Sequence, residues 1–355
     1  MQPPDTNIIR INLSLSSVCS ADCIFCPSSR GKQGAKEHMS VSLVEKLLND
    51  ISKDDRHGAI QQFSCGENGD CFVNPSTLDI LRLIKKDQPH SQIVIFTNFL
   101  TMSRSIAEAL IKEKLVDVVK CNIDGYDEQR YRAVKRGSLT KARKNIETFL
   151  EIRKEANSRI PLTVHVITYS RYINTILANL NILPSKVTAA DVKKNNFDDD
   201  FLQIKKLWEP LLDPTIDQLH QVTECVAWAE REQFQGDKIA YKKYVCPMLE
   251  RIRNQAYIAP DGTWYLCCFD AKNELEIGNI EKNSFTSLMD SIKRRKIISL
   301  LEKKQFEKVG GPCLTVNCCE LLFLSPIKTR WYRYYHNSPA FLKKALRLGK
   351  RIMKN

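Results

Sequence analysis

Little in this chain would hold it in a membrane or send it across one. No apolar run reaches about eighteen residues, the length a membrane-spanning helix needs, and the opening Met1-Gln2-Pro3-Pro4-Asp5 is polar where a secretory leader would turn apolar. Acid is missing from one end: Leu321 to Asn355 holds no Asp or Glu against nine Lys and Arg. The net charge of +13 is therefore local, because the first 320 residues carry 45 basic and 41 acidic groups. Metal partners are missing too. After the run Cys19-Ser20-Ala21-Asp22-Cys23-Ile24-Phe25-Cys26 no second cysteine pair follows within thirty residues and His38 stands alone, whereas zinc knuckles pair Cys-x2-Cys with such partners. Without a secretion signal, thirteen cysteines point to metal and thiol chemistry in a reducing compartment rather than to disulfides, so the expected location is cytoplasmic.

The three thiols of that run are the most informative feature present. Three soft thiolates on a short loop can hold three irons of a [4Fe-4S] cluster and leave the fourth iron open to a ligand. Structural zinc is the rival use of the same residues.

Behind the loop, strand and helix signals alternate. Ile9, Ile11, Leu13 and Leu15 fall on one face of a strand spanning Ile8 to Leu15, with Arg10, Asn12 and Ser14 opposite. Ser40 is placed to cap a helix carrying Leu43, Val44, Leu47, Leu48 and Ile51. Further strand and helix pairs are expected at Ala59 to Cys65 with Pro75 to Lys86, Gln92 to Asn98 with Ser103 to Glu113, and Val116 to Asp124 with Asp127 to Lys135. A fifth strand is expected at Pro161 to Ser170, a helix around Thr175 to Ile182, a helix at Leu202 to Glu209 and a sixth strand at Thr215 to Val222. Alternation of this kind predicts an α/β fold with a parallel sheet, its functional groups at the strand C-terminal ends. Lys120, Asn122 and Asp124 share one face of strand four, and Thr163 and His165 oppose Leu162, Val164 and Val166 on strand five, so polar groups are expected to line a lumen.

Cys19, Cys23, Phe25 and Cys26 resemble the signature Cys-x3-Cys-x-aromatic-Cys of the radical S-adenosylmethionine (SAM) superfamily. The resemblance implies a partial (β/α)6 barrel over 1–230 and a [4Fe-4S] cluster whose open iron is chelated by the methionine part of SAM. It also implies reductive cleavage to a 5′-deoxyadenosyl radical that takes hydrogen from a substrate. Ser64 to Pro75 looks like the family's turn that meets the methionine ammonium, with Gly69-Asp70 favoured as the match and Glu67 as the rival acid. Asn98 ends a Thr-Asn segment that lacks the family's following glycine, and Asn122-Ile123-Asp124-Gly125 resembles the family's Ser-x-Asp-Gly with asparagine for serine. Phe25, Gly69, Asp70, Asn98, Asn122 and Asp124 are thereby implied as cofactor-binding residues.

A second cysteine group follows. Cys246 precedes Gly262 by fifteen intervening residues, Cys267 follows after four more, and Cys313 and Cys318 come later. The group resembles the SPASM/twitch extension of the same superfamily, including Gly278-Asn279, but lacks the dense later run that builds a second auxiliary cluster. One auxiliary [4Fe-4S] cluster ligated by Cys246, Cys267, Cys313 and Cys318 is implied, within a small cysteine-rich domain at 231–320 that carries a β-hairpin turning at Asp261-Gly262. Cys268 and Cys319 are the adjacent alternatives, and zinc the alternative metal.

An auxiliary cluster can accept the electron left when hydrogen is removed from an alcohol carbon. The expected activity is therefore oxidation of an alcohol on a small molecule such as a sugar or aminocyclitol, with a flavodoxin- or ferredoxin-like electron donor. A radical epimerase, with Cys225 as hydrogen donor, and a peptide-modifying maturase are the alternatives. The tail, 321–355, interleaves its nine basic residues with Trp331, Tyr332, Tyr334, Tyr335 and Phe341, which suits an anionic membrane surface or an acidic partner, and less well nucleic acid. A metal-cluster nucleic-acid-binding protein is the reading from outside enzymology.

Overall fold

A computed structural model describes residues 8–23, 26, 37–54, 60–66, 68–167, 197–222, 244–246, 248–268, 270, 274–313 and 322–323. Six parallel strands pair in chain order: β1 (Arg10–Leu13), β2 (Gln62–Cys65), β3 (Gln92–Thr97), β4 (Val118–Asn122), β5 (Leu162–Ile167) and β6 (Gln218–Val222). They alternate with α1 (Val41–Ser52), α2 (Thr77–Asp87), α3 (Arg104–Lys112), α4 (Glu128–Lys135), α5 (Leu139–Glu155) and α6 (Phe197–Trp208). Among the described residues no pairing joins β6 back to the opposite edge, so the sheet is an open α/β sheet, consistent with a partial barrel.

The register explains which face does which job. Leu13, Cys65, Ile95, Val119 and Leu162 lie side by side across five strands, and every one is fully buried. Burying such side chains against the helices stabilises the sheet by about 1.5–3 kcal/mol each. Because side chains alternate, the other face carries Asn12 beside Ser64, Phe96 beside Lys120 and Thr163, and Asn122 beside His165 and His220. This is the polar inner face that the sequence pattern predicted.

The helices start where the sequence provides caps. Ser40, Ser103 and Ser138 each accept a hydrogen bond from the amide three residues on, and Asp127 accepts from Arg130 at 2.8 Å. The cap at Ser40 is the one expected. The seventeen-residue α5 was not expected, because its stripe of Leu139, Ala142, Ile146, Phe149 and Ile152 is diluted by charged neighbours. Strand six begins later than expected, since the backbone of Asp213 to Asp217 turns before it and Asp217 is committed elsewhere. The helix expected at Thr175 to Ile182 lies outside the described residues.

The C-terminal part contains β7 (Tyr244–Val245), α7 (Leu249–Asn254), β8 (Gln255–Ile258), β9 (Thr263–Tyr265), β10 (Glu276–Asn279), α8 (Phe285–Met289), α9 (Ile292–Glu302), α10 (Phe306–Val309) and β11 (Leu322–Phe323). The expected hairpin is β8 and β9, turning at Gly262 with φ +83°, a left-handed value suited to glycine. The sheet of this hairpin is continuous with the main one. Strand β8 pairs parallel with the free edge of β1, giving nine strands in the order β10-β9-β8-β1-β2-β3-β4-β5-β6. Stacking of Trp264 on Phe285, with ring centroids 5.1 Å apart, locks α8 onto this extension, and Phe285 N donates to Asp50 of α1.

Candidate cluster and substrate site

The loop after β1 carries Cys19, Cys23 and Cys26 over the C-terminal end of the sheet. Cys26 N donates to Cys23 O at 3.0 Å, closing the second half of the loop, and Asp22 N donates to Lys135 O at 3.0 Å, tying it to the end of α4. Beneath it runs the turn after β2. Gly69 has φ +72°, and a Cβ there would stand 2.2 Å from Ser16 O, so only glycine lets the turn pass this closely under the cysteine loop. Asp70 N then donates to Val18 O.

Asp70 organises the floor of the loop. It is 1% exposed, and its carboxylate accepts from Phe72 N (3.0 Å), Thr97 Oγ1 (2.9 Å), Asn98 N (2.9 Å) and Thr101 Oγ1 (3.2 Å). Burial raises its pKa while these four donors pull it down. Asn98, so oriented, donates from Nδ2 to Cys19 Sγ at 3.4 Å and accepts from Ser20 Oγ. Asp70 therefore sits behind the cysteines, its oxygens committed to protein donors.

Asp124 is fully buried and ion-paired with Lys135 at 2.7 Å, next to Cys23, whereas Asn122 is exposed at the end of β4. Burial, with Asp70 adding to it, pushes the Cys19 thiol up to about 11, and burial raises Cys23 to about 12. Left to themselves these thiols stay protonated, so a cationic iron core would be what holds them as thiolates. Among the described residues no three His, Cys, Asp or Glu side chains form a cage for a single metal ion. The donor set itself, soft thiols on one loop with an amide N–H aimed at a sulfur, fits a cluster spread over several irons.

On the inner face of the sheet lies a half-enclosed cavity of about 260 Å³ that reaches from Phe96 and Lys120 down to Arg10, Gln62 and Gln92 at the strand N-terminal ends. A larger concavity, about 680 Å³, lies outside the sheet between α5 and the Leu211–Ile216 connection; among the described residues neither hollow is lined by Cys19, Cys23 or Cys26. Cys268 lines the inner cavity while Cys267 is buried beside it. Since β9 runs antiparallel to β8, its end delivers these two cysteines toward the opposite end of the sheet from Cys19.

The fully buried Asp270 fixes their turn. Its backbone N donates to Cys267 O, and its carboxylate accepts from Glu274 N and Leu275 N at 2.9 and 2.8 Å. Gly311 packs against Glu274 and Leu275, which brings the short helical turn Gly311–Cys313 to the same place. Cys246 precedes α7, whose Arg251 also reaches the cavity.

Of the residues singled out from sequence, the structure gathers Cys19, Cys23, Cys26, Gly69, Asp70 and Asn98 into one unit and places Asn122 and Asp124 at the end of the neighbouring strand. Phe25, Glu67, Cys225, Cys318 and Cys319 lie outside the described residues, as does the basic tail from residue 324. The other thiols, Cys65, Cys71 and Cys121, are fully buried in the core. Sequence reasoning missed Asp270 and Arg251, and the pairing of Lys135 with Asp124. An acid three residues after a cysteine pair's first member was the available signal for Asp270; nothing local marked the others.

This geometry is that of a radical SAM enzyme. The family model for the radical SAM superfamily matches residues 13–176, and that for an iron-sulfur cluster-binding domain, SPASM, matches 246–319. The chain belongs to the radical SAM superfamily and carries a C-terminal SPASM domain, and its cofactors are a [4Fe-4S] cluster with SAM together with auxiliary iron–sulfur ligation. No curated protein matches the sequence significantly. Among solved structures, the fold is similar to anSMEcpe with bound AdoMet (13% identity, 96% of this chain and 99% of that one, TM-score 0.55). It is also similar to SuiB of Streptococcus suis bound to S-adenosylmethionine (12%, 89% and 78%, 0.56) and to BtrN in complex with AdoMet and 2-DOIA (14%, 87% and 93%, 0.51). Among the described residues no helix is long and apolar enough to cross a membrane.

Proposed function

We propose that the chain oxidises an alcohol carbon of a small molecule, of the sugar or aminocyclitol kind, using one auxiliary [4Fe-4S] cluster held by Cys246, Cys267, Cys313 and Cys318 as electron acceptor. The observation that carries this reading is the position of the polar cavity. It lies on the inner face against the N-terminal halves of the strands, with Cys268 of the auxiliary group in its wall and the Cys19–Cys26 loop at the other end of the sheet. Its volume of about 260 Å³ is below the ~300–1,000 Å³ of drug-sized ligand sites, which favours a single-ring substrate. When bound, SAM and its cluster supply a hydrogen-abstracting radical, fed by a flavodoxin- or ferredoxin-like donor.

The chain's own residues do the rest. Asn98 donates to the sulfur of Cys19, and Asp70 fixes Asn98. In this reading Asn122, exposed at the C-terminal end of β4, would contact the cofactor together with Phe25 and Gly69, while Asp124 pairs with Lys135 beside Cys23. His165, on the inner face of β5, offers a buried Nε2 that has no hydrogen-bond partner among the described residues. Burial, then His220 and Lys120, lower its pKa to about 4, so at neutral pH it is uncharged and, in this reading, would be the base that takes the hydroxyl proton.

The test is anaerobic turnover of the reconstituted enzyme with deuterated alcohol candidates. Deuterium appearing in 5′-deoxyadenosine together with a carbonyl product supports the reading. Product of unchanged mass carrying solvent hydrogen points instead to epimerisation with Cys225 as donor, and a modified peptide points to a maturase. Zinc without iron, and no 5′-deoxyadenosine, overturns the enzyme reading in favour of a nucleic-acid binder. Contact of the basic tail with an anionic membrane is tested separately by sedimentation with phosphatidylserine vesicles.

A further inference from the structure

The inner cavity has an unusual charge. Arg10, Lys120 and Arg251 contribute three cations to its wall, and among the described residues no Asp or Glu lines it. These cations come from β1, β4 and α7, so it is the tertiary fold that assembles them. Lys120 is steadied by the ring of Phe96, its Nζ 5.1 Å from the centroid. Side-chain amides complete the wall: Asn12 is fixed by Gln255 Oε1 and Ala256 O, and Gln62 by Ser64 Oγ. Arginine forks and a lysine point charge in a half-enclosed space match the several oxygens and double charge of a phosphoryl group better than a neutral polyol.

We infer that this cavity binds a phosphoryl group, and that the substrate is a phosphorylated monosaccharide-sized alcohol. This rests on the alcohol-oxidation reading for the identity of the reacting carbon but not for the anion site itself. The volume of about 260 Å³ leaves room for one ring with its phosphate and not for an enclosed nucleotide sugar.

Anaerobically reconstituted holoenzyme is titrated by calorimetry with inorganic phosphate, glucose 6-phosphate, glucuronate, glucose and UDP-glucose. Phosphate and glucose 6-phosphate should bind, with glucose at least tenfold weaker. Arg10→Gln, Lys120→Gln and the more exposed Arg251→Gln should each weaken glucose 6-phosphate at least tenfold, whereas Lys296→Gln, which removes the same charge from the exposed side of α9, should not. Three variants at different depths guard against one that fails to fold.

Equal affinity for glucose and glucose 6-phosphate, or unchanged affinity in all three variants, overturns the inference. So does tighter binding of glucuronate, while preference for UDP-glucose overturns the size argument. If the variants shift the reduction potential of the auxiliary cluster but not phosphate affinity, the cations serve the cluster and the inference fails. Iron content and SAM cleavage are measured on the same samples. A holoenzyme that cleaves SAM yet ignores phosphate overturns only the anion site, and one that binds phosphate without iron or cleavage overturns only the radical chemistry.

Discussion

Replacing Asp70 with asparagine separates two roles for this residue. In the structure its carboxylate accepts four hydrogen bonds, two from backbone amides and two from threonine hydroxyls, at 2.9 to 3.2 Å. An asparagine has the same shape but one acceptor oxygen, so its NH2 faces donors that previously pointed at oxygen. The hydroxyls of Thr97 and Thr101 can rotate, whereas Phe72 N and Asn98 N cannot. Losing hydrogen bonds to a charged group costs about 1.5–3 kcal/mol each, and relief of the buried charge offsets part of two such losses, so the net is about 2–4 kcal/mol. Against a typical total of about 5–15 kcal/mol this is a large fraction.

The loss should propagate, because Asn98 is held by Asp70 and itself holds Cys19. Asp70→Asn should therefore unfold at lower urea as the apo-protein and retain less iron after reconstitution. The assay pairs urea unfolding with iron and sulfide analysis, followed by titration with SAM. If stability stays within about 1 kcal/mol of the parent and iron is fully retained while SAM binding alone weakens, Asp70 acts on the methionine ammonium and the positioning argument is wrong.

Gly69→Ala should disrupt the cysteine loop, since its Cβ would stand 2.2 Å from Ser16 O at a left-handed φ; iron retained at the parental level would refute this. Asp217→Ala should cost about 3–5 kcal/mol, because it strips the buried, two-pronged pairing with Arg153 (2.6 and 2.7 Å) and leaves the guanidinium uncompensated, as denaturant unfolding would show. His165 should make stability depend on acid. Its folded pKa of about 4 lies below the ordinary 6.5, so the unfolded chain takes up a proton first and the folded state loses ground as pH falls from about 6.5 to about 4. His165→Gln should flatten that part of the curve in thermal melts, and an unchanged slope would show that other groups control it.

Much of the scaffold was legible in the chain because it rests on local periodicity. The alternation in β1, the spacing of Leu43, Val44, Leu47 and Leu48, and the cap at Ser40 are each written within a dozen residues and survive in the structure. The cysteine loop was legible for a different reason. Three soft ligands at fixed spacing are rarely compatible with anything except a metal centre. Where competing local signals existed, reading failed: α5 hid behind its charges, and strand six was shortened by the turn at Asp213 and Asp217.

What the sequence by itself determined is the class of chemistry and the order of the six parallel strands, since both depend on neighbours in the chain. Only the tertiary structure decided the rest. It showed Asp70 turned inward onto Thr97, Asn98 and Thr101, β8 laid along the edge of β1, and Arg10, Lys120, Arg251 and Cys268 gathered around one cavity. The physical reason is that hydrogen-bond partners and charge neighbours are set by pairing register and packing between segments as many as about 240 residues apart, as in the bond from Asn12 to Gln255, and no local pattern encodes them.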